Sequence, residues 1–163
     1  MIAAANPGRL YVVYLTLILG FILNIMPLPD WALDYRPQWV VLILIYWCMA
    51  LPERIGVGVG WVSGLLLDVL SGSLLGQHAL GLSVVAFLTL KLYRRVRVLP
   101  LRQQMFTILV LLLVERLLAL WITGVAGYHT PSLLYWVTPL TGVLLWPWVY
   151  IILRDIRRRF HVN

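Results

Sequence analysis

Six apolar runs, separated by charged residues, proline or glycine, constrain this chain more than any other feature: residues 10–26, 38–51, 55–70, 74–92, 105–125 and 133–153. A helix needs about 20 such residues to cross a hydrocarbon core of roughly 30 Å. Charged residues make up 12% of the sequence and hydrophobic residues 62%, against about 25% and roughly 45–50% in soluble domains. So few charges cannot cover a water-exposed surface. The sequence therefore predicts an all-α polytopic membrane protein, a bundle of six transmembrane helices forming one domain over residues 1–163. Six spans nearly exhaust that length, so no separate soluble domain is expected.

The second and third runs are short. At 1.5 Å per residue, 38–51 reaches only roughly 21 Å. Its helix must thin the bilayer, gain residues at its ends, or sit inside a bundle. Pro37 before it and Pro52 after it give it defined limits. The first run follows Arg9 and is followed by Pro27, Leu28, Pro29, Asp30 and Trp31 rather than a small-residue cleavage site, which reads as an uncleaved anchor. The single cysteine, Cys48, lies inside the second run and has no partner for a disulfide or a metal cluster.

Basic residues near span ends stay on the cytoplasmic side, which sets the orientation. Of the 13 Lys and Arg residues, 11 fall on one side if both termini are cytoplasmic: Arg9, Arg54, Lys91, Arg94, Arg95, Arg97, Arg102, Arg154, Arg157, Arg158 and Arg159. Arg36 then lies outside, with Asp30 and Asp34, and Arg116 lies within a span. The formal charge of +7 flanks apolar spans instead of forming a phosphate-tracking groove. Nucleic acid is not expected as a partner; anionic lipid is, above all against Arg94, Arg95, Arg97, Arg157, Arg158 and Arg159.

The stretch GVGVGWVSGLLLDVLSGSLLG, residues 56–76, is the most patterned. Gly56, Gly60, Gly64, Asp68 and Gly72 recur every four residues and so share one slowly rotating stripe of a helix. Small residues let another backbone approach closely in lipid, so with Ser71 and Gly76 they predict a helix-packing surface, either within the chain or against a partner helix. The spacing is not that of a dinucleotide-binding loop. Asp68, Glu115 and Arg116 are ionisable groups inside spans, and such a group costs at least about 2.5 kcal/mol unless paired or neutralised. Asp68 lies 13 residues beyond the start of the third run and Arg116 lies 11 beyond the start of the fifth. The corresponding depths differ by roughly 3 Å, which predicts an ion pair between them. His78 and His129 have no ligand-spaced companions and read as interfacial side chains. No G-x-S-x-G or H-E-x-x-H occurs, so an enzyme is not expected, and neither is a metal or cofactor.

Three segments carry a resemblance: NIMPLPD at 24–30, RPQWVVLILIYWCMALPERIGVGVGWVSGLLLDVLSGSLLGQHAL at 36–80, and VLLWPWVYIILRDIRRRF at 143–160. Together they resemble the MreD family, rod shape-determining membrane proteins of bacteria. The most specific part combines Arg36-Pro37, Leu51-Pro52 and Asp68-x-x-Ser71-Gly72-x-x-x-Gly76. The resemblance implies a non-enzymatic inner-membrane component of the cell-elongation machinery. Its partners would be MreC, a single-span membrane protein, and, directly or indirectly, cytoplasmic MreB filaments and peptidoglycan synthases. It also implies a fold similar to the six-helix substrate-binding components of energy-coupling-factor transporters. The alternative function is therefore a small-molecule-binding subunit of a membrane transporter, which would need several polar groups gathered near the outer face. Nothing about Glu115 or Arg116 comes from the resemblance.

Overall fold

The computed structural model describes residues 9–129 and 131–162, and every regular element among them is helical. In chain order these are α1 Leu10–Ile25, α2 Asp30–Leu33, α3 Trp39–Ala50, α4 Val57–Ser71, α5 Gln77–Val96, α6 Leu101–Val125, a 3-10 turn at Leu133–Trp136, and α7 Val137–Arg159. Six of the seven α-helices fall on the six apolar runs. The one-turn α2 has no counterpart among them and lies in the loop after α1.

Local chemistry moves the boundaries. α3 begins two residues after Pro37 and stops before Pro52. α6 begins at Leu101, directly after Pro100, ahead of the apolar run it carries. Between α4 and α5 the chain turns through Gly72 and Gly76, whose φ angles of +65° and +99° lie in the left-handed region that glycine occupies without a steric cost. Gly72 ends α4, and the next residue, Ser73, returns its N–H to Asp68 O at 3.1 Å. That turn delays α5 to Gln77, and α5 then continues through Arg94 and Arg95.

Of the three ways a 12-residue helix can be accommodated in a bilayer, α3 takes the last: it sits inside the bundle. Every residue from Val40 to Ala50 is buried, packed chiefly among α1, α5 and α7. A helix apolar on all faces is stable only where all faces are covered. The indole N–H of Trp47 meets the Thr16 hydroxyl at 2.9 Å, so this buried donor is satisfied.

The exterior is apolar. Leu15, Ile18, Leu19 and Ile22 of α1, Val62 and Val69 of α4, Phe106 and Trp121 of α6, and Leu144, Trp148 and Ile152 of α7 are all exposed. Such a surface is stable against lipid and not against water. Segments Leu101–Val125 and Leu133–Arg159 are each long and apolar enough to cross a membrane. The helix remains continuous through Pro147, as bundle neighbours allow in spanning helices. The described chain ends meet, with Arg9 Nη1 donating to His161 O at 2.7 Å.

Candidate functional site

The α4–α5 contact is built on the glycine stripe. A Cβ on Gly60 would lie 2.9 Å from Leu82 O, and one on Gly64 would lie 2.3 Å from Ala79 Cα. Both glycines are buried against α5. Gly60 and Gly64 of the stripe therefore pack against α5 within the chain. Gly56 precedes α4 and meets only Leu90 at an ordinary 3.6 Å. Ser71, Gly72 and Gly76 serve the turn. Gly58, on the other side of α4, faces open space.

Close approach brings the end of α4 beside the start of α5, where the first N–H groups of a helix have no partner of their own. Asp68 supplies one. Its Oδ2 accepts from Gly76 N at 2.8 Å and Ala79 N at 3.4 Å, and its Oδ1 accepts from His78 N at 2.9 Å and the Ser73 hydroxyl at 2.9 Å. His78 Nδ1 stands 2.8 Å from the same Oδ1. The Asp68 side chain is fully buried, yet its oxygens face a helix N-terminus and several donors, which stabilise a carboxylate there without Arg116.

The expected Asp68–Arg116 ion pair does not form. Equal depth brings two helices' residues to one level but does not set their azimuth, and the Asp68 oxygens are already filled from α5. Arg116 instead lays its guanidinium over the Tyr135 ring, 4.5 Å from the centroid. The Tyr135 hydroxyl donates to the Arg116 carbonyl at 3.1 Å. His78, expected as an interfacial side chain, also bridges inward, with Nδ1 on Asp68 and Nε2 4.0 Å from Glu115 Oε1. His129 is exposed.

Glu115 is 1% exposed. Its Oε2 accepts a hydrogen bond from Gln38 Nε2 at the start of α3. Gly81 of α5 makes room for it, since a Cβ there would lie 3.1 Å from Glu115 Cγ. Asn24, Arg36, Gln38, His78, Glu115 and Arg116 line a pocket of about 120 Å³ together with apolar side chains. Arg36 closes one wall by donating to Asn24 O at 2.6 Å and Met26 O at 2.7 Å. Polar groups that look scattered in sequence are therefore gathered here, at the end of the bundle away from Arg9 and His161. The sequence signs were Glu115 and Arg116 inside an apolar run and a lone Gln38 opening a 12-residue apolar helix.

The opposite end is basic. Arg97, Arg154 and Arg157 surround a hollow of about 230 Å³ floored by Tyr46, Gln104 and Tyr150. Arg94, Arg95, Arg158 and Arg159 stand exposed around it.

The family profile described as rod shape-determining protein MreD matches residues 7–156. The chain belongs to the MreD family. It is 33% identical over 149 residues to the rod shape-determining protein MreD of Haemophilus influenzae, covering 90% of each chain. No solved structure gives a significant match. Membership makes this a membrane protein with a role in rod-shape determination, in a family of shape-determining structural components.

Proposed function

We propose that this MreD-family chain is a scaffold of the cell-elongation machinery in the bacterial inner membrane, and that it binds the membrane helix of MreC between α1 and α4. Through that complex it helps to couple cytoplasmic MreB filaments to peptidoglycan synthesis. The observation that carries this reading is an apolar cleft of about 430 Å³ between those helices, lined by Tyr14, Ile18 and Phe21 on one side and Gly58, Val62 and Leu66 on the other. α1 and α4 barely touch, and Gly58 leaves the cleft floor open. A partner helix gains dispersion contacts there that lipid chains match less well. With the Gly60–Gly64 face occupied by α5, the cleft face of α4 stays open to a partner.

Filling the cleft tests it. Gly58→Leu and Val62→Trp should lower recovery of co-expressed MreC severalfold in mild detergent, while Leu144→Trp on exposed α7 leaves it unchanged. Undiminished recovery with both cleft variants would remove the cleft as the docking face.

Both termini are read as cytoplasmic, with six spans, on the distribution of basic residues and the meeting of Arg9 with His161. In a Cys48→Ser background, a membrane-impermeant thiol reagent applied from outside should label Asp30→Cys and His129→Cys but not Arg95→Cys or Phe160→Cys. The reverse pattern would invert the protein. In this orientation the hollow of Arg97, Arg154 and Arg157 faces the anionic cytoplasmic leaflet, where each nearby basic residue contributes about 1 kcal/mol to lipid attraction.

A further inference from the structure

Four buried polar atoms of residues that line the pocket at the other end of the bundle make no hydrogen bond: Arg36 Nε, Gln38 Oε1, Arg116 Nε and Glu115 Oε1, which has only His78 Nε2 near it, at 4.0 Å. Gln38 is 7% exposed and Glu115 1%. Buried polar atoms are rarely left unmatched, because each costs the solvation it has lost. All four residues line the same cavity of about 120 Å³. Two of the atoms are N–H donors on cations, and two are acceptors, one of them on a carboxylate. A simple anion would satisfy the arginines and oppose Glu115; a simple cation would do the reverse. A group that carries both charges satisfies all four.

We propose that this pocket binds a small zwitterion, an α-amino acid of glycine or alanine size. Its carboxylate meets the Arg36 and Arg116 N–H groups, and its ammonium meets Glu115 Oε1 and Gln38 Oε1. Size sets the class: a cavity near 150 Å³ accepts benzene, so the smaller space here takes roughly five or six non-hydrogen atoms. The Cα lies against the apolar part of the lining, which is made of Leu33, Pro37, Val40, Val41 and Leu67. The site joins α1, α3, α5 and α6 through Asn24, Gln38, His78 and Glu115, so an occupant braces the outer end of the bundle. This binding is independent of the partner cleft between α1 and α4.

The test is equilibrium binding of radiolabelled glycine and alanine to the purified full chain in lipid nanodiscs, with acetate and ethylamine as competitors. Saturable binding of either amino acid, with little competition from acetate or ethylamine, is the expected result. Glu115→Gln keeps the side-chain shape and removes the charge. It should weaken binding about tenfold or more, the loss of a charge-assisted hydrogen bond, while a cooperative thermal transition near that of the parent shows that the fold persists. Arg36→Gln serves as the second variant, with the same expectation. A folded parent that binds no small amino acid would overturn the proposal. So would binding equalled by acetate or ethylamine, unchanged affinity in both variants, or a high-resolution structure in saturating glycine with only water in the pocket.

Discussion

Replacing Gly64 with alanine is expected to abolish most of the folded yield of this protein, although the change adds a single methyl group. The new Cβ would stand 2.3 Å from Ala79 Cα, 2.5 Å from Ala79 N and 2.6 Å from His78 O. Carbon atoms in contact prefer about 3.5–4.0 Å. All three obstacles are backbone, so no side chain can rotate away and α5 itself must retreat by more than about 1 Å. Overpacking costs about 1–3 kcal/mol where neighbours can adjust, and more where they cannot. Here the retreat also draws the N-terminus of α5 away from Asp68. Against a total stability of about 5–15 kcal/mol, the combined loss should exceed about 3 kcal/mol. Gly60→Ala should fall between, since its Cβ meets Leu82 O at 2.9 Å and the end of the Ala86 side chain at 3.1 Å. Gly58→Ala, with nothing within 4 Å, should be neutral or stabilising by roughly 0.5–1 kcal/mol, because alanine loses less backbone entropy in a helix. Fluorescence-detected size exclusion and thermal midpoints in detergent would measure the series. A Gly64→Ala variant as stable as Gly58→Ala would refute the account of this interface.

Period and punctuation made the helices legible in the sequence. Apolar runs between prolines, glycines and charges located α1 and α3 to within one residue, whereas burial inside the bundle was one of three ways open to the short, all-apolar α3. The stripe at Gly60 and Gly64 was legible as a close contact because four-residue spacing fixes a face. Which helix meets that face is a tertiary fact, and the sequence left it open. The site was less readable for the same reason. Asn24, Gln38, His78 and Glu115 belong to four separate segments, and each alone resembles a span-end residue or a stray buried charge. Gly81 gave no sign at all; its role is to lack a Cβ beside Glu115. Depth counting brought Asp68 level with Arg116 but ignored a nearer source of positive potential. The first N–H groups of the next helix lie only 8 to 11 residues further along the chain.

That capping arrangement leads to the second large effect. Asp68→Asn preserves shape yet should destabilise the protein strongly, because the replacement places an NH2 group where one oxygen now accepts from α5. Hydrogen bonds to a charged group contribute about 1.5–3 kcal/mol each, and an anion at a partly buried helix N-terminus up to about 2 kcal/mol. With the contacts from Gly76, His78 and Ser73 all at 2.8–2.9 Å, Asp68→Ala should cost more than about 3 kcal/mol and Asp68→Asn a substantial part of it. Which residues are coupled to Asp68 discriminates capping from ion pairing. Removing the His78 imidazole, 2.8 Å from Asp68, should give non-additive losses with Asp68→Ala, on the order of 1 kcal/mol of coupling. Arg116→Ala should add independently, because its guanidinium rests on Tyr135. Thermal or denaturant unfolding of the single and double variants supplies both cycles. Coupling to Arg116 without coupling to His78 would restore the ion pair and dismiss the cap.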